Sequence, residues 1–425
     1  MRGLAVPVSL QIRGYRHLMV ASLISNTGGW GQSVAVGVVA YHDHNWWALY
    51  LGSLVPTFLP RALMGPWSGW FADRFPRRQV IIYALSIQLI DALVFWWLKA
   101  TRDDLRVVEM FTLITISSIC NTVINVARQA LVKEMVPFDS LSNALSVNGL
   151  NVRVGQALGS SLGGVLSTPD KQSWLFLGNA ISYLPVLYVM YRLKDFGREK
   201  PVRQCEPVRM REALKYVARE QETRRALIVV VLMTVCMSGD VANPPIGQAL
   251  GGPRAYALVL AAGGVGSVLA ALIQSVLKER RKPTLSGLLG WSALMSFPVA
   301  VYSSTSSLPV AMACLGMAYA CGNVSTVLSN VLVVGRAPRE KSGRVGAIYQ
   351  MTMQCSTLFS GLVTYLVLDH VEAGVRVIFT TINLIGMAVL CVWWALETPR
   401  LRLALSSSCL LWVLHTPGLR RDRQP

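Results

Sequence analysis

Long apolar segments recur along the chain and are separated by short polar or charged stretches. Most are close to the roughly 20 residues that a helix needs to cross a bilayer. The strict apolar–polar alternation of a membrane β-barrel is not seen. The pattern therefore predicts an all-α membrane protein with twelve spanning helices. Six precede residue 194, over 17–41, 46–69, 79–99, 106–127, 141–167 and 172–192. Six follow residue 224, over 225–247, 254–277, 284–302, 308–334, 344–368 and 373–396.

The spacing of these segments divides the chain into four parts. Residues 1–193 and 225–398 each hold six predicted helices, and residues 194–224 form a charged linker between them. The second part of this linker suits a helix that lies along the membrane surface. Residues 399–425 form a tail whose apolar stretch, about 14 residues long, is too short to span a bilayer. Two six-helix bundles joined by a cytoplasmic linker are the layout of a transporter with its site at the midplane between the bundles.

Charge is scarce and unevenly placed. Charged residues make up 15% of the chain and apolar residues 53%, against about 25% charged in a typical soluble domain. With twelve helices both termini lie on one side, and that side carries about 32 of the 40 Lys and Arg residues. Cytoplasmic loops retain such an excess of basic residues. We therefore expect cytoplasmic termini and a multi-pass protein of the cytoplasmic (inner) membrane. The net charge of +18 then needs no nucleic-acid partner.

The sequence argues against several other classes of protein. The eight cysteines show no paired Cys-x-x-Cys spacing, and most fall within predicted helices, where cysteine serves as a small apolar residue. No Gly-rich loop with a following Lys-Ser or Lys-Thr is present, so ATP hydrolysis is not expected. We expect a non-enzymatic protein without metal or cofactor, driven by the proton gradient. Its expected partners are a small-molecule substrate and membrane lipids, and we expect a monomer.

The stretch between predicted helices 2 and 3 carries Gly69, Asp73, Arg74, Arg77 and Arg78. The glycine permits close helix packing, and the aspartate can pair with a cation or cap the next helix. The three arginines hold the loop in the cytoplasm and can form charge-assisted pairs across the interface between the bundles. The spacing resembles the loop 2–3 signature of the major facilitator superfamily. That resemblance implies a conformational switch that latches the two halves, and the alternative is a set of charges that only fixes topology.

Predicted helix 5 carries Arg153, followed by a row of small residues, Gly155, Gly159, Gly163 and Gly164. Small residues let helices approach closely in lipid, where packing drives their association. The segment looks like helix 5 of the enterobactin-exporter-like, drug-efflux branch of the superfamily, where this pattern is a form of the antiporter motif. The resemblance implies efflux by an antiporter and a drug-like or siderophore-like substrate.

Several polar residues lie deep in predicted helices. A charge in hydrocarbon costs about 3 kcal/mol on insertion scales. Asp91 and Arg153 are each about twelve residues into their helices, roughly 18 Å deep at 1.5 Å per residue. Two interpretations remain open. In one, Asp91 exchanges protons and Arg153 pairs with a carboxylate or binds an anionic substrate, while Asn26 and Trp30 of helix 1 line the cavity. In the other, the charges form a structural ion pair.

Helix 7 carries a third deep charge, Asp240, which is the other candidate for proton exchange. The pair Pro244-Pro245 follows it closely. Because proline removes a backbone donor and clashes with the preceding turn, we expect the helix to break at this pair.

Taken together, the residues and the resemblance predict a secondary active transporter that exports a small organic molecule in exchange for protons. A metabolite importer of the same fold is one alternative. A membrane sensor or assembly partner that does not transport is another.

Overall fold

The protein is an assembly of long helices. The computed structural model describes residues 8–42, 54–102, 105–166, 171–193, 210–237, 239–276, 284–338, 341–370 and 374–397. Every regular element within those ranges is helical, beginning with a short 3₁₀ turn at Val8–Gln11. The predicted tail at 399–425, the first part of the predicted linker and the start of predicted helix 2 lie outside the described residues.

Six helices form the first half of the molecule. They are α1 (Arg13–His42), α2 (Val55–Arg74), α3 (Arg77–Thr101), α4 (Val107–Met135), α5 (Phe138–Leu166) and α6 (Gln172–Arg192). Helix α1 packs on α5 and α6, α3 packs on α4 and α6, and α2 packs on α4. Helix α4 extends eight residues beyond its predicted end at 127.

The second half contains seven further helices. They are α7 (Met210–Arg219), α8 (Gln221–Met237), α9 (Gly239–Val276), α10 (Leu285–Ser304), α11 (Leu308–Asn330), α12 (Ser342–His370) and α13 (Val375–Glu397). Helix α11 ends in a π-helical turn, Val331–Gly335. Helix α9 packs on α11, α10 packs on α11 and α13, and α8 packs on α10 and α12.

Helix α9 contains a sharp change of direction, and it does not lie where the sequence predicts. Pro244 and Pro245 lie inside the helix, so the expected break at the proline pair is wrong. The non-helical residues are Gly251 and Gly252, with φ of 148° and 81°. Only glycine adopts these angles without strain. The two parts of α9 therefore act as separate helices, joined at this glycine pair.

Helix α7, within the predicted linker, belongs to the second half. Ala213 and Val217 are buried in the same apolar cluster as Val345 of α12. The hydroxyl of Tyr216 donates to the carbonyl oxygen of Arg336, at 3.5 Å. One face of this short charged helix is therefore held against the bundle, and the other is exposed.

Burial along α3 is inverted relative to a water-soluble helix. Tyr83, Ile90 and Trp97 are 69%, 61% and 57% exposed. Gln88 and Asp91 are 4% exposed. An apolar outer face with polar residues turned inward is what a lipid environment requires.

Seven helices in the described part of the chain are long and apolar enough to cross a membrane. They are α3, most of α4, α6, the second part of α9, α10, α11 with its π-helical turn, and α13. Helices α1 and α5 carry more polar and small residues, including Asn26 and Arg153. Both of these polar residues are partly buried, and Asn26 is hydrogen-bonded to Asn151 of α5.

Candidate functional site

The two ends of the helix assembly differ. The basic end, as we name it, is where α2 meets α3 and where Arg77, Glu134 and Arg225 lie. The two halves pack together at the other end, which we name the opposite end. There Val38 of α1 is buried in one cluster with Tyr256 of α9.

A second contact at the opposite end joins α2 to α12. Leu54, just before α2, packs with Val55, Phe58 and Leu362 in one apolar cluster. With the α1–α9 cluster, this contact joins the halves at two places near the same end. The structure thus has the halves packed together at the opposite end.

The small residues of α5 bring two other helices close. A Cβ at Gly155 would lie 2.6 Å from the Cβ of Asn26, and one at Gly163 would lie 2.7 Å from the Cβ of Val34. At Gly159 it would clash with the carbonyl oxygen of Thr27. These three glycines therefore face α1, within the first half.

Gly164 faces the second half instead. A Cβ at this position would overlap the Cβ of Ala257 in α9. A Cβ at Gly264 of α9 would lie 2.6 Å from the Cα of Ala157 in α5. Two glycines, one on each side, thus hold the backbones of α5 and α9 in close contact across the boundary between the halves.

Arg153 lies on α5 and is partly buried near this boundary. Its Nη1 donates a long hydrogen bond of 3.5 Å to Oε1 of Gln156. Tyr319 of α11, in the second half, lies within electrostatic range. Among the described residues, no carboxylate is within ion-pair distance of Arg153. The side chain of Asp240 lies outside the described residues.

Asp91 is buried away from Arg153, and the two make no ion pair. The Oγ of Ser117 donates to Oδ2 of Asp91 at 2.7 Å, and Oδ1 has no hydrogen-bond partner among the described residues. Gln88 donates to the carbonyl oxygen of Ser117 at 3.1 Å. The carboxylate therefore has one satisfied oxygen and one unsatisfied oxygen in the interior of the first half.

The two predicted residues of α1 contact α5. Asn26 donates to Oδ1 of Asn151 at 3.0 Å, and Asn151 donates to the carbonyl oxygen of Met19 at 2.6 Å. The Cβ of Trp30 is one of the atoms that crowd Gly159. Asn26 and Trp30 thus belong to the packed seam between α1 and α5, and both side chains keep partial exposure.

The basic residues of the 2–3 connection contact their own half. Arg77 forms an ion pair with Glu134, near the end of α4. Arg78 donates to the carbonyl oxygens of Met190 and Tyr191, at 2.6 and 3.3 Å. These contacts join α3 to α4 and α6, and they do not cross to the second half.

Three other residues of this motif, Gly69, Asp73 and Arg74, fall in the last part of α2. Their side chains lie outside the described residues.

The second half has its own ion pairs at the basic end. Arg336 pairs with Glu222 of α8, and Nη1 of Arg225 lies 3.0 Å from Oε1 of Glu397. The described ion pairs at this end therefore stabilise each half separately.

One set of polar residues was missed at the sequence level. Ser117, Asn121, Asn125 and Arg128 lie on α4 at intervals of four, four and three residues. That spacing puts them on one face of a helix. Periodicity was the available signal, but the predicted end of helix 4 at 127 cut the pattern short. Within the described residues, no group of three or more His, Cys, Asp or Glu side chains is arranged to hold a metal ion.

Comparison with known proteins identifies relatives of this chain. The family model of the Major Facilitator Superfamily matches residues 18–360. The uncharacterized MFS-type transporter YfiS of Bacillus subtilis (strain 168) is 24% identical over 237 residues. That match covers 54% of this chain and 54% of YfiS, so it spans about half of this relative's length.

Several solved structures share the arrangement of helices. A mutant of the nucleoside transporter NupG is 11% identical, with 89% of this chain and 99% of that chain covered and a TM-score of 0.72. A bacterial homologue of the human lysosomal transporter Spinster, inward-facing and unoccupied, is 14% identical, with 90% and 95% covered and a TM-score of 0.62. An outward-facing bacterial homologue of the iron transporter ferroportin is 13% identical, with 91% and 100% covered and a TM-score of 0.60. At these identities the structures show a common fold. Since the family model matches most of the chain and the helices have this arrangement, the protein is a multi-pass membrane protein that belongs to the Major Facilitator Superfamily.

Proposed function

We propose that this protein is a secondary active transporter that exports a small organic anion in exchange for protons, by alternating access across the cytoplasmic membrane. The observation that carries the proposal is the position of Arg153. It lies near the boundary between the halves, with no carboxylate partner among the described residues. A transporter of two bundles binds its substrate at this level.

In the proposed topology the chain crosses the membrane twelve times. These are α1 to α6, α8 with the first part of α9, the second part of α9, and α10 to α13. Basic residues are retained in the cytoplasm, so the basic end is the cytoplasmic end and both termini are cytoplasmic. The packed opposite end is then the outer gate. In this state the substrate site opens toward the cytoplasm, as an exporter requires for loading.

The substrate class follows from charge. A guanidinium within a membrane costs several kcal/mol unless a partner supplies the counter-charge, and a bound anionic ligand can supply it. Arginine also binds carboxylate and phosphate groups with two parallel hydrogen bonds. Tyr319 lies nearby on the second half. An organic anion that contacts both Arg153 and α11 would bridge the halves, which is how substrate binding can bias alternating access.

The proposed direction of transport is inferred from helix α5. Its small residues, Gly155 to Gly164, resemble the antiporter motif of exporters and form the seams with α1 and α9. Among structural neighbours, NupG is a nucleoside transporter, and an importer of this fold is the alternative that the direction test decides. The segment of Gly69, Asp73 and Arg74 at the end of α2 is proposed as the latch between conformations, with Arg77 and Arg78 anchoring the start of α3 to the first half.

Flux in liposomes tests the proposal. Purified protein is reconstituted, a pH gradient is imposed, and uptake is followed for a panel of small carboxylates and their neutral amide analogues. A luminal pH dye reports proton movement. We expect gradient-driven transport of some carboxylates, loss of that transport in Arg153→Gln, and normal transport in the control Arg192→Gln. Arg192 is exposed at the end of α6, where it contacts Tyr188.

Equal transport of neutral and anionic analogues, or normal flux in Arg153→Gln, would show that Arg153 does not select the substrate. Absence of any substrate-linked proton movement would favour the non-transporting sensor or assembly partner.

A further inference from the structure

Helix α4 carries a row of polar residues that the transport proposal does not use. The row consists of Ser117, Asn121, Asn125 and Arg128, and it covers one face of the helix. From the first to the last, it extends about 17 Å along the helix axis at 1.5 Å per residue. Arg128 lies toward the basic end, and Ser117 lies at the level of Asp91.

Hydrogen bonds connect the members of this row. Nη2 of Arg128 donates to Oδ1 of Asn125 at 2.7 Å. Asn125 in turn donates to Oδ1 of Asn121. Arg128 thus fixes the orientation of the Asn125 amide. At the other end of the row, Ser117 donates to Asp91.

The row faces water rather than lipid. Asn121 is exposed and Asn125 partly exposed. Polar side chains inside a membrane face the bundle interior or a water-filled cavity, because hydrocarbon offers them no hydrogen bonds. The described clusters that join the halves lie at the opposite end, and the described ion pairs at the basic end do not cross between the halves. The basic end is therefore the side from which we expect water to reach the row.

Asp91 lies at the inner end of the row without a counter-ion. It is 4% exposed, and no Lys, Arg or His is within ion-pair distance among the described residues. The titratable groups that face it are Cys120 of α4 and Tyr183 of α6. Neither carries a positive charge. Within the described ranges no positive side chain offsets the charge of Asp91, so a proton can neutralise it at Oδ1, which has no hydrogen-bond partner there.

We propose that Asp91 is the proton-binding group of the transporter and that the α4 row is its access route from the basic end. This inference rests on the proton-coupled transport proposed above. Oδ1 accepts a proton from a hydronium ion, whose O–H bond breaks to leave water, and the product is a neutral carboxylic acid. In the present state the proton leaves to water held along Ser117, Asn121 and Asn125. Arg128 acts as a positioning residue, through Asn125.

Infrared difference spectroscopy tests the site without knowledge of the substrate. Spectra of the protein in lipid vesicles are recorded at acidic and at alkaline pH. In wild type we expect the carbonyl stretch of a protonated, buried carboxylic acid. Asp91→Asn should remove that band, and Ser117→Ala should shift its frequency, because one hydrogen bond to the carboxyl is lost. The control Thr122→Val lies on α4 outside the row and should leave the band unchanged.

Transport assays test the route and separate the two proposals. Asp91→Asn should lose gradient-driven accumulation and keep substrate exchange. Asn125→Leu should slow the proton release that follows a pH jump, while Thr122→Val should not. A band that persists in Asp91→Asn, or accumulation that survives in that variant, overturns this inference and leaves the transporter proposal standing. A band that depends on Asp91 in a protein without any substrate flux supports the proton site and refutes the transport proposal.

Discussion

Gly164 of α5 lies directly against Ala257 of α9, across the boundary between the two halves. A Cβ at Gly164 would overlap the Cβ of Ala257. The two backbones can approach this closely only because glycine has a hydrogen atom where other residues have a side chain. This contact lies near the cluster of Val34, Val38 and Tyr256 at the opposite end. The packed state of the molecule therefore depends on a residue of minimal size at position 164.

Gly164→Ala should shift the protein away from the packed state. Overpacking of a tight contact costs about 1–3 kcal/mol, and separation of the halves at the opposite end relieves it. Spin labels at Trp174 and Val377, exposed residues near that end, should move apart by pulsed electron resonance. Gly178→Ala is the control, because no atom lies within 4 Å of a Cβ there. Identical distance distributions in both variants would contradict the prediction.

Two adjacent glycines of α1 should respond in opposite ways to the same substitution. A Cβ at Gly28 would lie 2.8 Å from the Cβ of Ser182 and 2.9 Å from Oδ1 of Asn179, whereas one at Gly29 would meet nothing within 4 Å. Gly28→Ala should lower the free energy of unfolding by about 1–3 kcal/mol. Gly29→Ala should be neutral or stabilising, since alanine favours a helix by about 1 kcal/mol over glycine. Thermal unfolding in detergent measures both, and equal losses would show that α1 and α6 pack differently.

Removing the guanidinium of Arg153 should weaken substrate binding rather than folding. Truncation of one member of a buried charge pair costs about 2–5 kcal/mol of affinity. Arg153→Ala should therefore raise the dissociation constant of a transported anion strongly. Arg153→Lys should restore part of the affinity, because it keeps the charge and loses the planar fork. Equilibrium binding to purified protein provides the measurement, and a normal dissociation constant in Arg153→Ala would place the anion elsewhere.

Asp73→Asn should leave membrane insertion intact and reduce transport strongly, if the aspartate latches the two halves. Glu134→Gln is the matched comparison. It removes the partner of Arg77 inside the first half, where a partly exposed ion pair contributes about 1 kcal/mol or less. We expect nearly normal flux in that variant. Normal flux in well-expressed Asp73→Asn would show that the motif serves only topology.

Membrane vesicles of defined orientation decide the direction of transport. Inside-out vesicles with an acidic lumen should accumulate the substrate of a proton-driven exporter, and an uncoupler should abolish the accumulation. Accumulation confined to right-side-out vesicles would identify an importer instead.

The helices of this protein were largely predictable from sequence because their signal is local. An apolar run of bilayer length predicts a helix wherever it lies, and the described helices begin and end within a few residues of most predicted ones. Two helices differ more: α8 ends at Met237, ten residues before the predicted end at 247, and α4 extends to Met135, because Arg128 and Glu134 looked like loop residues. On the helix, Arg128 donates to Asn125, and Glu134 pairs with Arg77.

The sequence predicted which polar residues lie deep in the helices, but it did not predict which of them contact each other. The depth of Asp91 and Arg153 in their helices depends on position along the chain. Whether they pair with each other depends on the rotation of α3 and α5, which packing decides. The structure separates them: Asp91 meets Ser117, and Arg153 lies near the boundary with the second half.

Sequence by itself determined the class of molecule, the order of its apolar helices and the polar residues whose exposure to lipid would cost free energy. These follow from the free-energy cost of exposing polar groups to hydrocarbon, because each spanning segment must satisfy its own backbone groups. Tertiary structure decided that α9 turns at Gly251 and Gly252, that Arg77 and Arg78 bind their own half, and that the packed contacts between the halves lie at the opposite end. Each of these depends on which surfaces of separate helices fit together, and that fit is a property of several segments at once.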